Sequence, residues 1–84
     1  MAVGTMLYLV YLDGDLDTIA DPSLVPLAPG LYLAESTQPR SRLYHAIKRR
    51  HAPRRLLVAP LADDPKFKGM QPGALSWLRA RRAR

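Results

Sequence analysis

The side chains of this sequence that could carry out catalysis are few and poorly spaced. The histidines His45 and His51 are six residues apart, which on a helix separates them by roughly 240° and excludes the shared metal site of an i, i+4 pair. Both are expected on the surface of a basic helix. Ser36, Ser41 and Ser76 lack the context of a nucleophile elbow, and no glycine-rich phosphate loop is present. The residues therefore favour a protein that is not an enzyme.

The first apolar block of the chain, Met6–Leu12, ends at an acidic stretch. Asp13 and Gly14 form a turn pair, and Asp15 and Asp17 follow at alternate positions. An Asp after a strand is typically a local hydrogen-bond acceptor in a turn. Carboxylates also bind Mg²⁺ and Ca²⁺, but this stretch lacks the spacing and the closing Glu of a calcium loop. By themselves these residues favour a turn.

Lys and Arg are concentrated in one half of the chain. Residues 1–39 contain five acidic residues and no Lys or Arg, whereas residues 40–84 hold all 13 Lys and Arg and two Asp, so the half charges of −5 and +11 sum to +6. A basic surface of this kind attracts phosphate backbones or acidic proteins over about 8 Å at physiological salt. A charge run is otherwise only a solvated surface, an interpretation that the segregation disfavours.

The basic residues that could contact nucleic acid surround one predicted helix and the strand after it, and continue at the C-terminus. They are Arg40, Arg42, Lys48, Arg49, Arg50, Arg54, Arg55, Arg79, Arg81 and Arg82. Such side chains contact phosphates rather than base edges, so binding is expected to be salt-sensitive and weakly sequence-specific. Tyr44 and His45 lie among them and are able to stack on bases, although packing at the core edge is favoured for Tyr44. Phe67 and Trp77 are expected to cover a thin core.

Length and composition describe one small domain. A chain of 84 residues buries only about 60% of the surface that it exposes when unfolded. Cysteine is absent and no zinc-ligand spacing exists, which indicates a reducing compartment, and we predict a cytoplasmic protein without a cofactor. Oligomerisation is then the expected extra source of stability. The block Met6–Leu12 is too short to cross a bilayer and lacks the flanks of a signal peptide, so no membrane or targeting segment is predicted.

Hydrophobic patterns predict the elements that position these residues. Met6–Leu12 has no polar position, which predicts a central strand covered on both faces. The segments Ser23–Leu27 and Leu31–Ser36 predict a hairpin, and Pro26 places its first arm at a sheet edge. Between the first strand and the hairpin lies only a short acidic crossover, residues 14–22.

A helix, a strand and a second helix follow the hairpin. Ser41 is the predicted N-cap of a helix that runs to about His51. The next strand, residues 54–61, alternates apolar side chains on both faces and is predicted to be buried. A short last helix starts near Gly73 and is expected to pack with Leu75, Trp77 and Leu78. Residues 79–84 are predicted to form a flexible basic tail.

The order of these elements predicts an α+β fold. It fits a reduced ferredoxin-like domain spanning residues 1–84, with a four-stranded, mainly antiparallel sheet. The main helix and the short C-terminal helix are expected on one face of that sheet. In the main helix, the water-facing stripe is expected to hold Arg42, His45 and Arg49, opposite Leu43 and Ile47.

Four segments carry a resemblance to a known family. They are LAPGLYLAES at 27–36, RLLVAPL at 55–61, Phe67-Lys-Gly69 and Ser76-Trp-Leu78. In this order the chain resembles, over residues 6–80, the small ferredoxin-like proteins related to VapD, the SinR-like proteins and the small CRISPR adaptation subunit. The resemblance implies a homodimer built through the sheets, in a family whose members touch nucleic acid or belong to defence and toxin–antitoxin systems.

The resemblance also has consequences for two parts of this chain. Relatives have a full helix after the first strand, where this chain has only residues 14–22, and a second chain is the simplest cover for the apolar area left exposed. A strand-terminal Asp in the CRISPR subunit resembles Asp13, which implies a metal role for Asp13. A two-fold dimer would bring two such carboxylates together around Mg²⁺.

Three functions remain open at this point. The first is a dimeric, non-enzymatic accessory protein that binds nucleic acid or a nucleoprotein assembly through the basic surface. The second is a protein-interaction module, such as an antitoxin, immunity protein or inhibitor, whose partner is an acidic protein. The third is a Mg²⁺-dependent nuclease with Asp13 at a dimer interface.

Overall fold

A computed structural model describes residues 4–13 and 21–82 of the chain. A four-stranded antiparallel sheet in the order β2-β3-β1-β4 carries two helices. The elements are β1 (Met6–Asp13), β2 (Val25–Ala28), β3 (Leu31–Ser36), α1 (Arg40–His51), β4 (Arg55–Pro60) and α2 (Ala74–Arg82). The predicted α+β class and sheet are confirmed, and the strand order is compatible with a ferredoxin-like fold. The acidic positions 14–20 of the predicted crossover lie outside the described residues.

The central position predicted for β1 is confirmed. It pairs with β3 on one side and with β4 on the other. Its alternate side chains enter two separate cores, with Tyr8 and Val10 on one face and Leu7 on the other, all of them buried. Because both faces of β1 are apolar, each face of the sheet needs its own cover.

The two helices supply that cover from opposite faces, so their predicted placement on one face is wrong. Ile47 of α1 belongs to the core cluster of Val10, whereas Leu78 of α2 belongs to the cluster of Leu7. The segment between β4 and α2 leads to the second face, where Phe67 packs. The apolar side chains of β1 on that face would otherwise be left in water, which explains why the last helix crosses over.

The C-terminal helix is longer than expected. It runs from Ala74 to Arg82, so residues 79–82 are helical and the tail predicted from residue 79 is wrong for these four positions. Leu78 is buried and Trp77 is half-buried against the same core, as predicted, but Leu75 stays exposed. The reason is helical spacing, since the buried positions Ala74 and Leu78 are four residues apart and Leu75 points off that stripe.

The strands at the two edges of the sheet differ. Pro26 lies in the edge strand β2 as predicted. The prediction that the strand around Val58 is buried on both faces is wrong, because β4 is the other edge strand and pairs with β1 alone. Val58 is its only buried residue, and Leu57 is 52% exposed.

The predicted hairpin is confirmed, and it depends on Gly30. This glycine has a φ of 79° in the turn between β2 and β3, and its carbonyl accepts a hydrogen bond of 2.8 Å from the N–H of Leu12. A Cβ at position 30 would lie 2.7 Å from the carbonyl oxygen of Leu12. Only glycine fits both the left-handed backbone and this close approach to β1.

Gly30→Ala should therefore lower the free energy of unfolding by about 2–3 kcal/mol, the sum of left-handed strain and the clash with Leu12. Gly69→Ala is the matched control, because Gly69 has a φ of 75° but no atom near the added Cβ. The control should cost only about 1 kcal/mol. Urea denaturation of the two variants measures the difference, and equal losses would contradict a role for the contact with Leu12.

Candidate nucleic-acid interface

Helix α1 presents one stripe to the core and one to water, as the sequence predicted. Ile47 is buried, and Leu43 and Tyr44 pack against the same core. Arg42 and Arg49 are fully exposed on the opposite side, where their spacing of seven residues places them two turns apart on one face. His45 is exposed between them.

Both ends of α1 are tied to other parts of the fold. Before the helix, the hydroxyl of Tyr8 donates a 2.8 Å hydrogen bond to the carbonyl of Gln38, and the N–H of Gln38 donates to the hydroxyl of Ser36. After it, Ala52 takes a left-handed conformation, and its N–H donates to the carbonyl of Lys48. These contacts fix the direction in which the helix points its exposed stripe.

The N-terminus of α1 differs from the prediction. Its cap is Pro39, which provides no side-chain hydrogen bond, and Ser41 lies inside the first turn instead of capping it. The fixed φ of proline, here −67°, suits this boundary. The first turn contains no acidic residue and two cations, Arg40 and Arg42, which is the unfavourable sign for a helix N-terminus. The stability of α1 therefore comes from packing and from its C-terminal contacts.

The ten predicted nucleic-acid-binding residues fall into separate groups. Arg40, Arg42, Lys48 and Arg49 are exposed, and none makes an ion pair within residues 4–13 and 21–82. We call these four the α1 cationic surface. Arg54 is exposed just before β4. Arg79 is exposed on α2, which covers the opposite face of the sheet, and Arg82 lies in the last turn of that helix.

Three of the predicted residues pair with acidic groups of the same chain. Arg50 lies 3.0 Å from Asp21, and Arg55 lies 3.5 Å from Asp13. Arg81 is only 16% exposed, with its Nε 2.7 Å from Glu35 and its Nη1 3.3 Å from Asp64. The Arg81–Glu35 contact is close but is not aligned as a hydrogen bond, so it stabilises mainly by charge. Arg81 therefore anchors α2 to the sheet.

Asp13 lies at the end of β1 opposite Arg55 in the strand register. Its carbonyl also accepts a hydrogen bond from the N–H of Arg54. In the part of the chain that the structure describes, no three His, Cys, Asp or Glu side chains are grouped as a metal site. The geometry gives Asp13 a partner in Arg55, and its metal role stays a prediction.

The sequence analysis missed a polar cluster around Asp21. Its side chain is only 5% exposed and accepts hydrogen bonds from the N–H and hydroxyl of Ser23, from Arg50 and from Nε2 of His51. Burial alone would raise the pKa of Asp21, but the hydrogen bonds from Ser23, His51 and Arg50 together outweigh it and hold that pKa well below its usual range. The carboxylate is therefore ionised and links the start of the hairpin to the end of α1.

The two histidines have different surroundings. His45 is exposed, and its ring meets that of Tyr44 edge-on at 5.2 Å. His51 is half-buried against Asp21, so the prediction that it is a surface histidine is wrong. Ser23 does not complete a catalytic triad, because its hydroxyl donates to the carboxylate of Asp21, whereas a nucleophile would bond to the histidine.

Comparisons with known proteins give the chain no relatives: no protein-family model, curated protein or solved structure matches it. The family resemblance, with its implications for fold family and dimer, thus stays a prediction. Neither of the two described helices is long and apolar enough to cross a membrane.

Asp21→Asn should lower the free energy of unfolding at pH 7 by about 1–3 kcal/mol, since three donors lose a charged acceptor. The folded pKa of Asp21 is depressed, so this stabilisation is complete above the unfolded pKa of about 3.9 and is lost as the pH falls below it. The difference between wild type and variant should be largest above about pH 5 and shrink below about pH 4, as measured by urea denaturation at several pH values.

Asp63→Asn is the control for that prediction. Asp63 is exposed, and its carboxylate accepts a bond from the neighbouring N–H of Asp64. This substitution should change the free energy of unfolding by less than about 0.5 kcal/mol at every pH. A deficit in Asp21→Asn that stays constant down to pH 3 would show that the charge of Asp21 is not what stabilises the fold.

Proposed function

We propose that this chain is a non-enzymatic accessory protein that binds the phosphate backbone of nucleic acid through the α1 cationic surface. The observation that carries the proposal is the lack of internal partners for Arg40, Arg42, Lys48 and Arg49 among the described residues. Asp13, Asp21, Glu35 and Asp64 are all engaged with other arginines. The internal ion pairs therefore leave the positive charge of α1 directed at solvent.

The dimensions of this surface suit a phosphate backbone. Arg42 and Arg49 are seven residues apart on one helix face, which places them about 10 Å apart along the axis. At about 3.4 Å of rise per nucleotide in one strand, this distance spans roughly three phosphates. Few groups on this surface can recognise a base, because Tyr44 is held against the core. Binding is therefore expected to depend on salt and only weakly on sequence.

Arg42→Gln with Arg49→Gln should weaken this binding and reduce the slope of log affinity against log salt by about 2, or about 0.9 per lost phosphate contact on duplex. Arg79→Gln is the matched control, because Arg79 is an exposed arginine on the opposite face of the sheet. Fluorescence anisotropy with random duplex DNA, single-stranded DNA and RNA measures the slopes. No affinity for any of the three at low salt, or an equal loss in the control, would contradict the proposal.

Arg42→Glu separates binding from folding. An acidic residue in the first turn of α1 interacts favourably with the helix dipole and should raise the free energy of unfolding by about 0.3–1 kcal/mol. The same substitution reverses a charge of the α1 cationic surface and should weaken nucleic-acid binding. A variant that is both less stable and less able to bind would instead indicate that Arg42 acts through the fold.

The homodimer expected from the sequence belongs to this proposal, because two chains would offer two α1 cationic surfaces to one nucleic acid. Its support is an exposed apolar patch beside α2, where Met70 and Leu75 are 38% and 39% exposed and line one groove. Light scattering should give the mass of two chains, and Leu75→Glu should give the mass of one. A wild-type chain that is monomeric at micromolar concentration contradicts the dimer but not the binding surface.

A further inference from the structure

The two edges of the sheet are protected to different degrees. The β2 edge contains Pro26 and an irregular register, and the carbonyl of Leu27 accepts a hydrogen bond from the N–H of Gln71. These features prevent further strand pairing. The β4 edge, Arg55–Pro60, has no such cover in the described parts of the chain.

The register identifies the backbone groups that β4 turns outward. The N–H of Leu61 donates to the carbonyl of Leu7, and the N–H of Leu12 donates to the carbonyl of Gly30. In an antiparallel ladder both groups of a residue point the same way, so odd positions of β4 face β1 and even positions face outward. Leu56 and Val58 thus each offer an N–H and a carbonyl to a new strand, and neither is bonded elsewhere among the described residues.

A groove of about 410 Å³ follows this edge. It is lined by Arg40, Ser41, Tyr44 and His45 of α1 and by residues 56–58 of β4. Because three consecutive strand residues line it, although their side chains alternate between faces, the groove must run along the backbone edge. Its polar lining contains no acidic residue.

Charge defines what the groove would accept. Arg40 is exposed and unpaired with any described acidic group, and Lys48 lies on the same side of α1, one turn beyond Tyr44. On the other face of the sheet the edge exposes Leu57, which is apolar. A strand added here would meet cations with one set of alternate side chains and an apolar surface with the other.

We propose that the β4 edge binds an extended, acidic segment of a partner protein as an added strand, with acidic side chains toward Arg40 and apolar side chains on Leu57. Backbone hydrogen bonds to Leu56 and Val58 would hold the strand, and the alternate side chains would select it. This site is separate from the stripe of Arg42 and Arg49 and goes beyond nucleic-acid binding.

Two other occupants fit less well. A nucleic-acid backbone has acceptors but no donors for the outward carbonyls of Leu56 and Val58, so it would leave them unpaired. A second copy of this chain could supply both kinds of group, but it would bring a second cationic helix beside the first, in a chain with a net charge of +6. Charge complementarity therefore favours an acidic partner strand.

The test uses the full chain and a synthetic peptide of alternating Asp and Val, about ten residues long, which matches the length of a strand at this edge. Hydrogen exchange followed by NMR should show the N–H groups of Leu56 and Val58 protected by at least about tenfold when the peptide binds. The N–H groups of Leu57 and Ala59 are the internal control, because they already face β1 and should change little.

Matched variants complete the experiment. Arg40→Gln and Leu57→Asn should each weaken peptide binding by about three- to tenfold, whereas Arg79→Gln on the opposite face should change it by less than about twofold. A peptide of alternating Lys and Val should bind at least about tenfold more weakly. Absence of peptide binding at millimolar concentration, or equal binding of the Lys peptide, overturns the proposal.

Two further outcomes would assign the edge to another occupant. Protection of Leu56 and Val58 by single-stranded nucleic acid without peptide would place nucleic acid in the groove and overturn the peptide site. Protection that grows with protein concentration alone would identify a second copy as the occupant and overturn it equally. Loss of nucleic-acid binding in the Arg42 and Arg49 variant leaves this proposal intact, so the two surfaces fail independently.

Discussion

The buried carboxylate of Asp21 holds together two parts of the chain that the rest of the architecture needs in fixed positions. It accepts hydrogen bonds from Ser23 at the start of the hairpin and from Arg50 and His51 at the end of α1. Helix α1 has 12 residues and no side-chain cap, and a helix of that length is marginal on its own in water. Its orientation therefore depends on Asp21 at one end, Ile47 in the middle and the Gln38 carbonyl at the other.

The separation of charge along the chain also has a structural role. Each of the pairs Asp13–Arg55, Asp21–Arg50 and Glu35–Arg81 joins an acidic residue of the first half to an arginine of the second. Attraction between the halves thus helps to bring together segments that are distant in sequence. What remains after these pairs form is the α1 cationic surface, so the charges that assemble the fold also determine which cations stay exposed.

The sequence pattern could predict the elements whose signals are local. An unbroken apolar block identified β1 as the central strand, Pro26 identified an edge, and the spacing of Arg42 and Arg49 against Ile47 gave the orientation of α1. Each of these signals is contained in a few neighbouring residues, where the periods of strand and helix can be recognised.

The features that could not be predicted depend on distant contacts. Asp21 and His51 are 30 positions apart, and no local pattern distinguishes this pair from two surface residues. The apolar alternation of β4 resembles that of a buried strand, and only the order of the sheet shows that one of its edges is open. The position of α2 on the second face likewise follows from the three-dimensional course of the chain after β4, which side-chain period alone does not encode.

The two proposed surfaces meet on one helix, and this arrangement has a consequence for how they work together. Arg40 lines the groove beside β4 and also belongs to the α1 cationic surface. Acidic side chains in the groove would neutralise Arg40 and lower the positive potential felt by a phosphate near Arg42, which lies within the same turn. Binding at the two surfaces should therefore be antagonistic, and linkage requires nucleic acid to weaken peptide binding by the same factor. In this arrangement an acidic partner could release the nucleic acid without a change in fold, because the two ligands compete for charge and not for space.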